Sequence, residues 1–313
     1  MSNLLEKASI LLTPTAYDDG KILSVKPIDG SGDFQFTRNS NATRVNSAGL
    51  IESLQALSSN LVSNGDFSQE GSELITNGDF ATDSDWTKQA GWTISGGKAN
   101  CDGTQTAASN LTQFSLALGT GKIFKITFQL KDYQAGNLIY VNLTGTNTLD
   151  FENINANGTY VAYSGLSTGD NFIVFRADAS FIGSIDNVSV KEVLQDWSFT
   201  SGASLTDLGA KITHTPTAGT ISSAGYAPLV VGNNYKMTYE ITESISGGVK
   251  INSAVVPTMV STVGVHTKYF EADSTIISIA RTDNTGNNVT ITNVSIIEIT
   301  DDTNLPRIDY SPY

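Results

Sequence analysis

The residue types that do chemistry are few in this chain, and their spacing does not suit catalysis. His214 and His266 stand in polar, strand-like or loop-like stretches, with no second His, Cys or acidic residue at ligand spacing. Neither a G-x-S-x-G elbow nor an H-E-x-x-H pair occurs. Cys101 is the one cysteine, so no intrachain disulfide forms. With no His or basic cluster nearby to lower its pKa, it reads as a small, partly buried strand residue. "LGTGKIF" at 118–124 has Leu116 where a phosphate loop needs its first Gly and Ile123 where it needs Ser or Thr. "SGGKA" at 95–99 fails in the same way, with Trp92 at the Gly position. Asp83 and Asp85 sit in an Asp/Ser-rich loop and read as solvated rather than as a glycosidase acid pair. The expectation is no catalytic residue, no cofactor and no enzyme.

Binding chemistry is better served. Sugars present C–H faces that stack on aromatic rings, and hydroxyls that need amides and carboxylates. Trp86, Trp92, Tyr133, Tyr140, Tyr160 and Tyr163 lie among Asn, Asp, Gln and Thr. Each of these rings also suits a sandwich core. Trp86 recurs as Trp197 at a matched position later in the chain, which favours a fold role for that pair. Trp92, Tyr133 and Tyr140 have no aromatic counterpart there, so they are the candidate glycan-binding residues.

These residues must be positioned by a β-rich chain. Of 313 residues only 16% are charged and 39% hydrophobic, and Gly, Asn, Thr and Ser dominate the remainder. The net charge of -13 repels phosphate backbones, so nucleic acid is not an expected partner. No basic patch supports membrane-surface binding, and no run approaches a transmembrane helix in length. The opening "MSNLLEKASILLTPTAY" does not read as a signal peptide, because Glu6, Lys7 and Thr13 break its apolar residues. Synthesis in the cytoplasm without an export route of its own is therefore expected.

Three anchors repeat in order. Asp85-Trp86 returns as Asp196-Trp197 and "FKITFQLK" at 124–131 as "YKMTYEIT" at 235–242, both at an offset of 111. "IDNVSVKEV" at 185–193 returns as "ITNVSIIEI" at 291–299, and "FRAD" at 175–178 is echoed by "ARTD" at 280–283. The chain thus carries two tandem copies of one domain. In the first, Phe124, Ile126, Phe128 and Leu130 alternate with Lys125, Thr127, Gln129 and Lys131. Period-2 alternation gives one buried and one wet face, as in an antiparallel sandwich. Gly, Asn and Asp clusters punctuate further candidate strands roughly every ten residues, which predicts a β-sandwich or jelly roll of about eight strands per copy.

"ELITNGDFATDSDWTKQAGWTISGGKAN" at 73–100, followed by "IDNVSVKEV", resembles carbohydrate-binding modules of the galactose-binding-like jelly-roll superfamily. The resemblance implies that "NGDF" opens the fold and that the "IDNVSV" strand pairs beside it. Where that family often has a Glu of a structural calcium site after "NGDF", this chain has Ala81 and, after the earlier "NGDF" at 64–67, Ser68. Asp79 and Asp186 alone make a thin calcium site, so no metal is expected. The second copy is expected to lack an "NGDF" leader, with "EVLQDW" running straight on from the first. The earlier "NLVSNGDFS" at 60–68 reads as an extra strand or a linker.

"FTRNSNATRVNSAGLIE" at 36–52 and "NLPRIDY" at 304–310 resemble a segment of bacteriophage tail and fibre proteins in which the two halves follow closely. Here the jelly rolls stand between them. The resulting expectation is an all-β chain with a discontinuous base of residues 1–58 and 300–313, a first jelly roll at 59–194 and a second at 195–299. Insertion of this kind succeeds where the two ends stay close together. Arg38, Arg44 and Arg307, against Asp309 and Glu52, are the candidate attachment residues of the base. The resemblance implies a virion structural protein, released by lysis. Its partners would be capsid, portal or tail proteins and a host-surface polysaccharide. A homo-oligomer, with a trimer favoured, follows by analogy. The alternatives are a decoration or spacer protein without glycan binding, a polysaccharide depolymerase, and a bacterial adhesin.

Overall fold

A computed structural model describes residues 58–143, 151–168, 171–200, 202–213, 219–223, 225–255, 257–282 and 286–299. It also describes the backbone of residue 300 and of six short strands between residues 11 and 57. The chain divides into two compact units: 1–61 with 233–236 and 297–313, and 62–232 with 237–296. In the first unit, β1 (Leu11–Asp18), β2 (Lys21–Lys26) and β3 (Phe34–Gln35) form an antiparallel sheet in that order. β4 (Ala42–Val45) and β5 (Ile51–Leu54) form an antiparallel pair with Arg44 in register with Glu52. β6 (Ala56–Leu57) pairs with the last strand of the chain, Leu57 opposite Ile299. Ser58 N donates to Glu298 O at 3.0 Å, and Glu298 N donates to Ser58 Oγ at 2.8 Å. The chain segments on either side of the jelly rolls therefore run side by side.

The second unit holds the first sandwich and most of the second. The first contains β7 (Glu70–Glu73), β8 (Thr87–Lys88), β9 (Trp92–Ser95), β10 (Lys98–Asp102), β11 (Ser109–Gln113), β12 (Ile123–Ala135), β13 (Leu138–Leu143), β14 (Phe151–Ile154), β15 (Gly158–Tyr163), β16 (Ile173–Ala177) and β17 (Ile182–Val193). One sheet runs β15-β12-β17-β10-β9, with β7 also on β17; the other runs β14-β13-β16-β11-β8. β12 forms because its apolar residues recur at period 2, and the structure buries Phe124, Ile126, Phe128 and Leu130 while leaving Lys125, Thr127, Gln129 and Lys131 half-exposed. The ring of Phe128 meets Phe175 of the facing sheet edge-on at 5.2 Å.

The second sandwich contains β18 (Trp197–Phe199), β19 (Ala203–Thr206), β20 (Gly209–Thr213), β21 (Thr220–Ser223), β22 (Asn234–Ser246), β23 (Val249–Ile251), β24 (Gly264–Glu271), β25 (Ser278–Arg281) and β26 (Asn288–Thr300). Its sheets run β18-β21-β25-β23 and β19-β20-β26-β22-β24. The described residues include no helix, and the strand pairs whose register is described are antiparallel. The chain is an all-β protein built on β-sandwich jelly rolls.

Both "NGDF" segments cap a sandwich, and the earlier one caps the later sandwich. Phe80 N donates to Asn77 O at 3.2 Å, and the Trp86 indole donates to the same carbonyl at 3.1 Å. Asn77 Oδ1 accepts from Thr82 N, and the Phe80 ring lies 5.1 Å from Trp86. The same set recurs with Phe67 N on Asn64 O at 3.1 Å, the Trp197 indole on Asn64 O at 3.0 Å, Asn64 Oδ1 accepting from Gln69 N, and Phe67 5.1 Å from Trp197. The second copy therefore has its leader, contrary to the expectation from sequence. Residues 64–67 supply it from ahead of the first sandwich, which is inserted between that leader and Trp197.

The last-strand motif explains the fit. Asn187 and Asn293 each take a left-handed conformation, φ 51°, which Asn tolerates better than other side-chain-bearing residues. In β17 the register against β12 slips at this point. Val188 N then donates to Gly78 O at 2.9 Å, and Val294 N to Gly65 O at 2.8 Å. The approach is so close that a Cβ on Gly78 would lie 2.1 Å from Val188 O, and one on Gly65 would lie 1.9 Å from Val294 O. Only glycine fits there, which accounts for N-G-D-F and D/T-N-V as a matched pair of motifs.

Candidate carbohydrate-binding face

The structure does not bring the three candidate rings together. Trp92 is 5% exposed, its ring 6.1 Å from Phe181, and it pairs in register with Cys101. It is a core residue, so the expectation that it meets a ligand is corrected. Its uniqueness has a packing cause. The corresponding pair in the second sandwich is Ala203 and Ile212, so a large-small pair in one copy stands against a small-large pair in the other. Tyr133 is half-buried at the end of β12, where its hydroxyl donates to Gly136 O at 3.0 Å and its backbone N to Asn157 Oδ1 at 2.9 Å. The first bond ties down the turn into β13, and the second links this end of β12 to the turn between β14 and β15. Tyr140 alone points away from the core, on the outer face of the other sheet.

That face follows from alternation. Leu111, Val141, Leu143, Ile173 and Phe175 are fully buried, so their strand neighbours point outward. Register places Glu152, Tyr140, Arg176 and Asn110 in one row across β14, β13, β16 and β11. Asn142, Val174, Thr112 and Thr87 form the next row, about 7 Å along the strands. Val174 and Thr112 are nearly covered and form its floor. Just beyond the strand ends, the tilted rings of Phe114 and Phe172 meet with centroids 5.3 Å apart, and Phe114 is 52% exposed. The Arg176 guanidinium lies 5.9 Å from the Tyr140 ring centroid, and its Nη1 donates to Asn110 Oδ1 at 3.4 Å. The arrangement offers rings at both ends of a polar, donor-rich strip, which is the chemistry of sugar recognition.

Sequence reasoning missed Arg176, Asn110, Phe114 and Phe172. The usable signal was Arg176, the one charged residue in the apolar run "FIVFRA". Along the sequence it stands in the "FRAD"/"ARTD" echo, which is one residue out of structural register. Phe175 and Ile279 both face inward opposite the equivalent Leu111 and Ile221, so Ala280 occupies the place of Arg176. A one-residue slip in a strand moves a side chain to the other face.

The remaining chemistry-bearing residues are held in structural roles. Burial pushes the Cys101 thiol up to about 11, which keeps it protonated. His266 is half-buried, with Nε2 2.6 Å from Thr262 O and its ring 5.6 Å from that of Tyr239. Asp83 pairs with Lys88. Asp186 pairs with Lys131 at 2.8 Å, and Asp79 Oδ1 accepts from Ala81 N. Among the described residues no group of three His, Cys, Asp or Glu side chains is placed to hold a metal ion. At Asp178, burial works to raise the pKa, but hydrogen bonds from Ser180 and Asn137 outweigh it and lower it. His214, Arg38, Arg307 and Asp309 lie outside the described residues, and of Arg44 only the backbone is described.

No protein-family model matches this chain, and no curated protein matches it. Among solved structures, it is similar to the N-terminal CBM22-1–CBM22-2 tandem domain of Paenibacillus barcinonensis Xyn10C, with 9% identity, 74% of this chain and 99% of that chain covered, and a TM-score of 0.33. An anti-sigma factor domain-containing protein also matches, with 9% identity, 72% and 92% coverage, and a TM-score of 0.19. The assignment of two β-sandwich jelly rolls stands on this chain's own strand order.

Proposed function

We propose that this is a bacteriophage virion structural protein that attaches through its base and displays the first sandwich to a host-surface glycan. The observation that carries the glycan part is the outer face of β14-β13-β16-β11-β8, where Tyr140, Arg176 and Asn110 share one row and exposed Phe114 closes the strip. The virion part rests on the wording of residues 36–52 and 304–310. In this reading the base is formed by residues 1–58 and 300–313, and capsid, portal or tail proteins are its partners. The protein binds rather than cleaves, and a homo-oligomer, favoured as a trimer, multiplies a weak single-site affinity.

The second sandwich favours a different role for itself. Its equivalent face carries Lys250, Ala280 and Thr220 in one row and Ser278 and Ser222 in the next, with no ring among them. It serves a structural role and does not bind the glycan. Binding of the full chain to a panel of bacterial surface polysaccharides tests the reading, with Tyr140→Ala as the control. Binding that falls at least tenfold in the variant supports it. An absence of hits alongside tight binding to other virion proteins favours a decoration or spacer protein throughout. Immunogold labelling of particles tests the location.

A further inference from the structure

Arg176 gives the proposed face a chemical preference. It stands in the middle of the row, half-buried, and contributes to none of the ion pairs formed among the described residues. All seven of those pairs use Lys, and among the described residues no carboxylate forms an ion pair with Arg176. Its two contacts orient the guanidinium without neutralising it: the Tyr140 ring at 5.9 Å, and the Asn110 amide oxygen at 3.4 Å on Nη1. A guanidinium fork held in this way matches a carboxylate bidentately, which a Lys ammonium does not. Lys236, Lys250 and Lys268 likewise enter none of these ion pairs, and Arg176 is set apart from them by its planar fork and its two fixed contacts in a chain of net charge -13. Glu152 lies two strands away, beyond Tyr140, and disfavours an anion on that side. On the Asn110 side the row borders Gln89, which carries no charge.

We infer that the first sandwich selects an acidic glycan, binding the carboxylate of a uronic-acid-type sugar at Arg176 and Asn110 while a neighbouring ring stacks on Tyr140. This rests on the glycan reading above. The carboxylate supplies the missing counter-charge, and the stacked sugar face covers the apolar side of the tyrosine. A neutral sugar would leave the guanidinium partly desolvated without an anionic partner, which costs affinity.

The experiment uses the full chain in direct binding assays against polygalacturonate, alginate and hyaluronan, each beside its carboxyl-reduced form, and against neutral xylan and galactan. The expected result is binding to at least one uronate polymer that falls tenfold or more on carboxyl reduction. It should fall as far in Arg176→Gln and partly in Arg176→Lys, with the thermal melts of both variants unchanged. Equal binding to neutral and carboxyl-reduced polymers, unaffected by Arg176→Gln, overturns the acidic preference and leaves the glycan reading standing. No binding to any polymer removes both. If Arg176→Gln fails to fold, carboxyl reduction with the unaltered chain still decides the question.

Discussion

The two sandwiches share one scaffold and differ on one face. Both use N-G-D-F against a left-handed Asn in the last strand, a Trp indole on the Asn carbonyl, and a β12- or β22-type strand with four buried alternating side chains. On the outer face of the smaller sheet the first copy carries Tyr140, Arg176 and Asn110, where the second has Lys250, Ala280 and Thr220. Residues that set the fold are duplicated because sterics allow no alternative. Residues on the open face drift, because either set is compatible with the same sheet. Where the copies differ on the surface is where a function carried by only one of them would be located. Where they differ in the core, as with Trp92 and Cys101 against Ala203 and Ile212, the difference is compensated volume.

The largest expected effect breaks the shared scaffold one copy at a time. Phe67→Ala should destabilise the second sandwich by about 3–5 kcal/mol, and Phe80→Ala the first by a similar amount. Hydrogen exchange would show Phe67→Ala acting on residues 234–242 and 288–296, although Phe67 precedes the whole first sandwich. An effect confined to residues 123–193 would contradict the interleaving. Gly78→Ala comes next. It forces a Cβ against Val188 O and should cost about 2 kcal/mol or more by the overpacking mechanism, read as a lowered Tm of the first sandwich. Trp92→Phe should cost about 1–3 kcal/mol in stability and leave polysaccharide affinity of the folded protein unchanged. A loss of affinity without a loss of stability would restore Trp92 as a ligand residue.

The smallest effect is electrostatic. Glu70 accepts from Lys125 and Lys191 at 2.6 and 2.9 Å, and these two cations hold its carboxyl below the usual glutamate value. A depressed acid stabilises the fold above its unfolded pKa, and that contribution is lost as pH falls through the folded value. The first sandwich should therefore lose a little stability below about pH 4.5. Because the group is largely exposed, the loss is under about 1 kcal/mol. Glu70→Gln should flatten that part of the pH-stability curve, and urea melts at pH 3 to 7 would check it.

Much of the fold is legible along the chain. Period-2 alternation in 124–131 and 235–242 marks the central strands, because a half-buried strand admits little else. Duplicated wording marks the number of copies. The ownership of residues 64–67 is not legible, since they meet Trp197 about 130 residues away and no local signal records so distant a pairing. The face is legible in part. Tyr140 stands out by type, but Arg176 joins it only through strand register, and the "FRAD"/"ARTD" echo hides a one-residue slip that puts Ala280 in its place.

The most direct test of the division of labour is hydrogen-exchange footprinting of the full chain with and without a bound polysaccharide. The account predicts added protection in residues 109–114, 138–143 and 173–177 of the first sandwich and none in residues 220–223, 249–251 and 278–281 of the second. Protection in the second set, with the first unchanged, would contradict it.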